Sequence, residues 1–318
     1  MKSLTMIATG MLIPATVSGC VLAGDDASEG QLQQGLVNGS IDSGHPFAVG
    51  VCSGGLVAAD QPDPGTCAAI RCSGTLIAPN LVLTARHCVR LHVDAPVFCD
   101  GTYTEDPFTP DPIYVTTSPS VASGSPVWRE VDRVEVPPNN NLCADDLAIL
   151  VLKDEIPRRE AWPVKVSVGR DIADHPPHEV AIVGRGRLAY NFFTGEEDNG
   201  GFLRRTRTHI PFVCATNDPT QPCEVPDFSS PPSNVFVSSL NHFLIGAAVL
   251  PGDSGAGVYD QSSFHRHAPR LIGVVAGYTV AEDGNPNFGF MSRVDPHAHF
   301  IRAALHRSHD DDDDEDNE

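Results

Sequence analysis

Short apolar segments separated by turn residues recur along the chain, and this pattern favours β-strands. Two apolar strands flank an Ala-Pro-Asn turn at residues 78–80, and further apolar runs cover 147–152 and 243–250. Near the C-terminus, apolar residues instead recur at helical spacing and predict a short helix over 295–307. The pattern therefore predicts many short strands followed by one helix.

The composition is typical of a globular protein rich in loops. The 318 residues include 28 glycines and 27 prolines, and 41% of them are hydrophobic. The chain has no run of about 18 uninterrupted apolar residues, which excludes a polytopic membrane protein. Acidic residues dominate 310–318, and removing these eight from the formal net charge of -20 leaves -12. This negative charge argues against a nucleic-acid partner.

Both ends of the chain are expected to lie outside the folded domain. Residues 1–19 contain Lys2 and an apolar stretch too short to span a membrane, which predicts an export signal peptide. The small residues before Cys20 resemble a bacterial lipoprotein signal, which implies lipidation of Cys20; an ordinary secretory signal is the alternative. Residues 20–35 then form a polar spacer or propeptide. Like-charge repulsion predicts a disordered acidic tail over 309–318.

The nine cysteines of the sequence favour disulfides over a metal site. An exported chain can oxidise the eight that remain besides Cys20, and the paired C-x-x-C spacings of metal sites are absent. Cys214 and Cys223 are close in sequence and are expected to close a small loop. The sequence alone fixes none of the other pairings.

The segment P-G-D-S-G at 251–255 carries the strongest candidate chemistry. A serine nucleophile needs a base for its proton and amide donors for the oxyanion that develops. The glycines beside Ser254 allow the amides of Gly252 and Ser254 to point towards one oxyanion. The alternative is a glycine-rich turn in which the serine is merely solvated.

Two other segments supply the partners that such a serine needs. His87 lies in the turn after the 72–83 hairpin, and Cys72 and Cys88 bracket that hairpin. Asp146 stands at the mouth of the apolar 147–152 strand, where a carboxylate could orient the imidazole and stabilise its charged form.

These motifs resemble those of the trypsin-like serine proteases of the chymotrypsin fold. T-A-R-H-C at 84–88 is similar to the family's T-A-A-H-C, D-L-A-I-L at 146–150 to its D-I-A-L-L, and G-D-S-G-A at 252–256 to its G-D-S-G-G. The resemblance extends from about residue 36 to 305. It implies that His87 is the general base and then acid, Asp146 the orienting carboxylate and Ser254 the nucleophile. The amides of Gly252 and Ser254 are then the oxyanion hole.

The resemblance also implies the architecture and the pairing of cysteines. It predicts an all-β fold of two six-stranded antiparallel Greek-key β-barrels, about 36–160 and 161–308, with a short C-terminal helix. Segments 181–186, 271–278 and 289–294 resemble strands of that fold, with Arg185 in place of an aromatic residue. Of the disulfides, the resemblance implies only Cys72–Cys88; among the pairings that stay open, Cys52–Cys67 and Cys99–Cys143 are one choice. Asp146, and not Asp145, directly precedes the Leu-Ala-Ile run and so aligns with the family's aspartate. Asp145 is therefore expected to face solvent.

An activation step follows from the same resemblance. L-V-N-G at 36–39 is similar to the family's I-V-G-G, whose new amino terminus pairs with the aspartate before the nucleophile, here Asp253. Gly35 rather than a basic residue precedes Leu36, so the cut would need a protease of another preference. If Cys20 is lipidated, that cut would also release the catalytic domain from the membrane.

The implied specificity pocket contains no acidic residue. A substrate cation buried there would lack a partner, so we expect cleavage after small or medium apolar residues. The pocket residues are Ala248, Ala276, Gly277, Tyr278 and Gly289.

The sequence thus predicts an exported serine endopeptidase that acts as a monomer on a protein or peptide substrate, with no metal and no cofactor. It is expected in the cell envelope as a lipoprotein, or free after processing. The histidine pairs at 265/267 and 297/299 lack the matched cysteine, aspartate or glutamate ligands of a metal site and are expected at the surface. The insertion over 100–126 has no assigned role. The alternatives are a catalytically silent binding module on the protease fold, and an esterase.

Overall fold

Short strands joined by turns make up most of the chain, as the apolar pattern predicts. The computed structural model describes residues 36, 39–89, 92–93, 102–103, 112–122, 124–139, 141, 145–198, 200–229 and 233–315, with the backbone alone for 92–93, 102–103, 201 and 309–315. Two α-helices are described, α1 (Gln261–His265) and α2 (Ala298–Glu315). The described strands are β1 (Ser40–Ile41), β2 (Ala48–Ser53), β3 (Ile70–Ala78), β4 (Leu81–Thr84), β5 (His92–Val93), β6 (Thr102–Tyr103), β7 (Tyr114–Thr116), β8 (Arg129–Glu135), β9 (Ala148–Leu152), β10 (Lys165–Val166), β11 (Glu179–Gly184), β12 (Ala189–Tyr190), β13 (Glu197–Asp198), β14 (Arg205–Ala215), β15 (Glu224–Pro226), β16 (Val235–Val237), β17 (His242–Ile245), β18 (Gly257–Asp260), β19 (Arg270–Val280) and β20 (Pro286–Arg293).

The first barrel is closed by six antiparallel strands, β2, β3, β4, β9, β8 and β7. The predicted apolar run at 147–152 becomes β9, and every residue of that strand is buried. Every residue of β9 is apolar, and the strand belongs to a buried cluster that also includes Ile301 and Ala304 of α2.

The second barrel is closed by β14, β11, β18, β19, β20 and β17, again antiparallel. It has a separate core that includes Ile182, Phe243, Val258 and Met291. Two short strands extend its sheet: β1 pairs with β14, and β10 runs parallel to β19.

Both barrels have the same strand order. Counted along the chain within each barrel, the strands follow one another around the wall as first, second, third, sixth, fifth and fourth. The fourth strand returns to lie beside the first, which is a Greek-key connection. The prediction of two six-stranded antiparallel Greek-key barrels is thereby confirmed.

The two ends of this domain cross over to the opposite barrel. β1 pairs with β14 of the second barrel, with Ser40 opposite Thr206. At the other end, α2 packs Ile301 and Ala304 into the core of the first barrel. The helix is longer than the 295–307 pattern and continues to Glu315, into residues assigned to the acidic tail, because no glycine or proline interrupts it. A division at residue 160 therefore does not separate two independent halves.

Three disulfides lie in the described part of the chain. Cys72 is bonded to Cys88 and Cys52 to Cys67, while Cys214 is bonded to Cys223, which confirms all three predicted pairs. The remaining predicted pair, Cys99–Cys143, and the proposed lipid attachment at Cys20 lie outside the described residues. None of the described helices has the length and apolar character needed to cross a membrane.

Candidate active site

His87 lies just beyond the end of β4, in a 3-10 turn formed by Arg86–Cys88. The Cys72–Cys88 disulfide joins this turn to β3, one residue past His87. The side chain of His87 is 25% exposed. The imidazole is therefore open to solvent while the backbone beneath it is covalently anchored.

The pairing of β4 with β9 brings Asp146 to His87. Thr84 lies opposite Ala148 at the end of the antiparallel pair, so the residues after β4 meet those before β9. Oδ2 of Asp146 lies 2.8 Å from Nδ1 of His87. Oδ1 accepts a hydrogen bond of 2.9 Å from the backbone NH of His87. One carboxylate therefore orients both the ring and the backbone of the histidine.

The carboxylate also sets the charge state of the ring. Burial lowers the pKa of His87, but the negative charge of Asp146 and its hydrogen bond together raise the pKa above its ordinary value of 6.5. A carboxylate can only accept hydrogen bonds, so Nδ1 carries the proton of the neutral ring and Nε2 has the lone pair. Nε2 of His87 can thus take a proton, and Asp146 stabilises the imidazolium that results.

Ser254 lies at the junction of two successive β-turns. The turns at 250–253 and 253–256 are each closed by a backbone hydrogen bond of 2.8 Å. Gly252 and Gly255 occupy the third position of each turn with φ of 101° and 82°. A positive φ at that position is what a type II turn requires, and glycine adopts it without strain. The glycines therefore let the chain reverse twice around Ser254.

Ser73 on β3 ties this double turn to the first barrel. Its backbone NH donates a hydrogen bond of 2.8 Å to the carbonyl of Ser254, and its hydroxyl donates one of 2.9 Å to the carbonyl of Gly252. A Cβ on Gly255 would lie 2.1 Å from the carbonyl oxygen of Ser73 and 2.2 Å from Oγ1 of Thr84. Since Thr84 ends β4, this close packing brings the Ser254 turn to the strand end that carries His87.

Two amide groups of the turn are available as donors. The carbonyl of Pro251 accepts a hydrogen bond of 3.0 Å from the NH of Arg187. In a planar trans peptide the carbonyl and the next NH point in opposite directions, so the NH of Gly252 faces away from Arg187. Within the described residues the amides of Gly252 and Ser254 donate to no acceptor. Such unpaired, fixed donors are the feature that stabilises an oxyanion.

Asp253 is fully buried beneath the turn and accepts three backbone hydrogen bonds. The NH of Gly186 lies 2.7 Å from Oδ1, the NH of Leu250 lies 3.0 Å from Oδ2, and the NH of Leu36 is the third donor. Burial raises the pKa of Asp253 to about 6, against the opposing effect of these hydrogen bonds and of the charge on Arg205. Leu36, 1% exposed, thus lies beside Asp253.

Asp145 and His297 are buried, and the expectation that both lie at the surface was wrong. Asp145 is 3% exposed and His297 6%. Nε2 of His297 lies 3.3 Å from Oδ1 of Asp145, and Nδ1 lies 3.0 Å from the carbonyl of Arg293. The reason is that α2 begins directly after His297 and packs on the first barrel, which covers the segment before β9. The other histidines predicted at the surface, at 265, 267 and 299, are exposed.

A second buried histidine lies near this pair. His242, 1% exposed, has no hydrogen-bond partner at either ring nitrogen within the described residues. Burial lowers the pKa of His242 to about 4; the charge of Asp146 opposes this shift and that of His297 adds to it. The ring is therefore neutral at pH 7. No local pattern points to this histidine, because His242 stands alone at the start of an apolar run.

The five residues predicted to form a specificity pocket lie on or beside three neighbouring strands. β17 pairs with β20, and β20 pairs with β19, so that Gly277 lies opposite Phe290 and Tyr278 opposite Gly289. Ala248 follows β17 and is buried. The structure therefore brings these predicted residues to one wall of the second barrel.

Apolar side chains cover the glycines of this wall. A Cβ on Gly277 would lie 2.3 Å from the tip of the Phe290 ring, and one on Gly289 would lie 2.5 Å from Cε of Met291. Tyr278 is half-buried and contacts Tyr190 edge to face, with 6.4 Å between ring centroids. The wall is therefore closely packed at its glycines and carries no carboxylate on the residues predicted to form it.

No family model matches this chain, and no curated protein matches its sequence. The two closed barrels and their strand order are consistent with a chymotrypsin-like fold. Among the residues that the structure describes, no group of three or more histidine, cysteine or acidic side chains could hold a metal ion. The function of the site must therefore be inferred from its own geometry.

Proposed function

We propose that this protein is an exported serine endopeptidase in which His87, Asp146 and Ser254 act together. The observation that carries the proposal is the 2.8 Å contact between Nδ1 of His87 and Oδ2 of Asp146. It fixes the tautomer that leaves Nε2 free to accept a proton, beside a turn that presents a serine and two unpaired amides.

The reaction proceeds in two halves. Nε2 of His87 removes the hydroxyl proton of Ser254 as Oγ bonds to the carbonyl carbon of the substrate, and the negative charge passes to the carbonyl oxygen. The amides of Gly252 and Ser254 stabilise that oxyanion. The C–N bond then breaks, and the imidazolium gives its proton to the leaving amine. A water molecule repeats these steps on the acyl-enzyme and releases the acid.

The preferred substrate has a small or medium apolar side chain before the scissile bond. The proposed pocket wall is formed by Ala248, Ala276 and the glycines at 277 and 289, and Phe290 and Met291 pack against those glycines. A charged side chain placed there would lose its hydration without gaining a partner.

The proposed location is the cell envelope, through a lipidated Cys20, with release after cleavage before Leu36. Three disulfides fit an oxidising compartment outside the cytoplasm. The contact between the NH of Leu36 and Asp253 supports an activating role for that cut, because cleavage would turn this amide into an ammonium group. Full activity of the intact, lipidated protein would contradict the activation step.

Covalent labelling with a fluorophosphonate, read by intact mass, tests the proposal. Three proteins are compared: the export-processed protein, a chain that begins at Leu36, and Ser254→Ala. Labelling that is lost in Ser254→Ala supports the nucleophile, and labelling confined to the Leu36 chain supports activation by cleavage. If folded protein is not labelled in either form, the protein is instead a catalytically silent binding module. Digestion of a peptide library separates a peptidase from an esterase.

A further inference from the structure

Two arginines lie beside the Ser254 turn and have no part in the proposed bond-breaking steps. Arg71 directly precedes the Cys72–Ser73 pair that supports the turn. Arg187 donates its backbone NH to the carbonyl of Pro251 at 3.0 Å, next to the oxyanion donor Gly252.

Arg71 is connected to the turn through an aromatic ring. The guanidinium carbon of Arg71 lies 5.2 Å from the centroid of Phe202, a cation–π distance. The same ring packs on Gly252, where a Cβ would lie 3.0 Å from its edge. Nη2 of Arg71 donates a hydrogen bond of 2.8 Å to the carbonyl of Cys67. The guanidinium is thus held in one place beside the proposed oxyanion hole.

Arg187 is also held by an aromatic ring and a polar contact. Its guanidinium carbon lies 5.6 Å from the centroid of Tyr190, which contacts Tyr278 of the proposed pocket wall. Nη1 forms an ion pair of 2.9 Å with Glu197. Arg187 is therefore connected both to the Ser254 turn and, through Tyr190, to Tyr278 of the proposed pocket wall.

The two guanidinium groups repel each other and are incompletely neutralised. Burial, and then the positive charge of Arg187, lower the pKa of Arg71. Within the described part of the chain Arg71 forms no ion pair and its Nη1 donates to no acceptor, while Nε of both arginines is buried without a hydrogen-bond partner. Among the described residues, Glu197 forms an ion pair with Arg187 and none with Arg71. A second carboxylate would relieve the repulsion and could accept a hydrogen bond from Nη1 of Arg71.

We propose that Arg71 and Arg187 form a subsite for an acidic side chain of the peptide substrate, close to the scissile bond. This inference rests on the proposed function, since the ligand is part of the substrate. The subsite adds a second determinant of substrate choice. Besides the apolar residue for the pocket wall, the substrate carries an aspartate or glutamate for the arginine pair.

Paired peptides test the subsite directly. Peptides with a preferred apolar residue before the scissile bond carry glutamate or glutamine at one neighbouring position at a time, and kcat/KM is measured for each pair. At one position the glutamate peptide is expected to be favoured about five- to tenfold, which is the size of one partly desolvated ion pair. Arg71→Gln and Arg187→Gln should each reduce that ratio, and the double variant should bring it close to one.

Arg133→Gln is the matched control, because Arg133 is an exposed arginine on β8 whose ion pairs within the described residues are with Asp132 and Glu135. It should keep the glutamate preference of the parent protein. Cleavage of both peptides of every pair at equal rates would overturn the subsite while leaving the peptidase intact. A preference that survives in the double variant would overturn it as well. Absence of both turnover and fluorophosphonate labelling would overturn the proposed function, and the subsite with it.

Discussion

The hydroxyl of Ser73 donates to the carbonyl of Gly252 at 2.9 Å and accepts the backbone NH of Arg185 at 3.0 Å. A single side chain from the first barrel therefore bridges two backbone segments of the second, and one of them carries a proposed oxyanion donor. Ser73 is a positioning residue in this arrangement, because it acts on the substrate only through Gly252.

Ser73→Ala should lower kcat about 10- to 100-fold with a smaller change in KM. The reason is that a small movement of the Ser254 turn would misplace the oxyanion donors. It also leaves two buried backbone groups unpaired, which costs about 1–3 kcal/mol of stability. Kinetics on a peptide substrate and chemical denaturation measure both effects.

Thr75→Val is the control for Ser73→Ala. Thr75 lies two residues further along β3, and its hydroxyl also reaches the second barrel, 3.0 Å from that of Tyr259. This variant should lose stability by a similar amount and keep its kcat. Equal loss of kcat in both variants would mean that Ser73 has only a structural role.

The pH dependence of kcat/KM should report the titration of His87. Activity requires the neutral ring, and Asp146 favours the charged one, so the acid limb of the profile should have a midpoint above 6.5. Asp146→Asn removes that charge. The midpoint should then fall, while activity falls by about 10⁴-fold because the tautomer is no longer fixed. A midpoint that does not move in the variant would show that another group controls the limb.

Asp253 should make the uncleaved chain less stable as the pH rises. Its folded pKa of about 6 exceeds the ordinary value of 3.8, so the neutral carboxyl is favoured by folding. The resulting stability is complete below about pH 3.8 and is lost as the pH rises through 6, by up to about 3 kcal/mol. A charged amino terminus at Leu36 should cancel the loss.

Denaturation of both forms between pH 4 and 7, with Asp253→Asn as the reference for each, isolates this effect from other titrating groups. The difference in the free energy of unfolding between parent and Asp253→Asn should change with pH in the uncleaved chain. It should change much less in the chain that begins at Leu36. Identical slopes in the two forms would argue against a contact between the new terminus and Asp253.

The buried contact between Asp145 and His297, two residues far apart in sequence, should contribute to the stability of the fold. His297→Ala leaves the carboxylate of Asp145 without its 3.3 Å partner and should cost about 3 kcal/mol or more, as removal of one member of a buried pair does. The double variant Asp145→Asn/His297→Ala should recover part of that loss. Thermal denaturation checks this, and a double variant no more stable than His297→Ala would contradict it.

The elements that local sequence determines were predicted well. The apolar run at 147–152 became β9, and the family resemblance of the sequence motifs implied the two barrels and the Cys72–Cys88 disulfide that the structure contains. Contacts between distant segments were missed. Asp145 and His297 are 152 residues apart, and Ser73 and Gly252 are 179 apart. Their burial depends on how the barrels and α2 pack, which no local pattern encodes.

The crossing of the chain ends means that each barrel is contacted by an element from the other half of the polypeptide. A cut in the segment between β9 and β10 would leave an N-terminal fragment that holds β1, which extends the sheet of the second barrel, and a C-terminal fragment that holds α2, which packs on the first. Each fragment would expose apolar surface that the other fragment covers in the intact protein. The two pieces would therefore assemble as complementary halves, and recovery of labelling at Ser254 would report that His87 and the serine had been reunited.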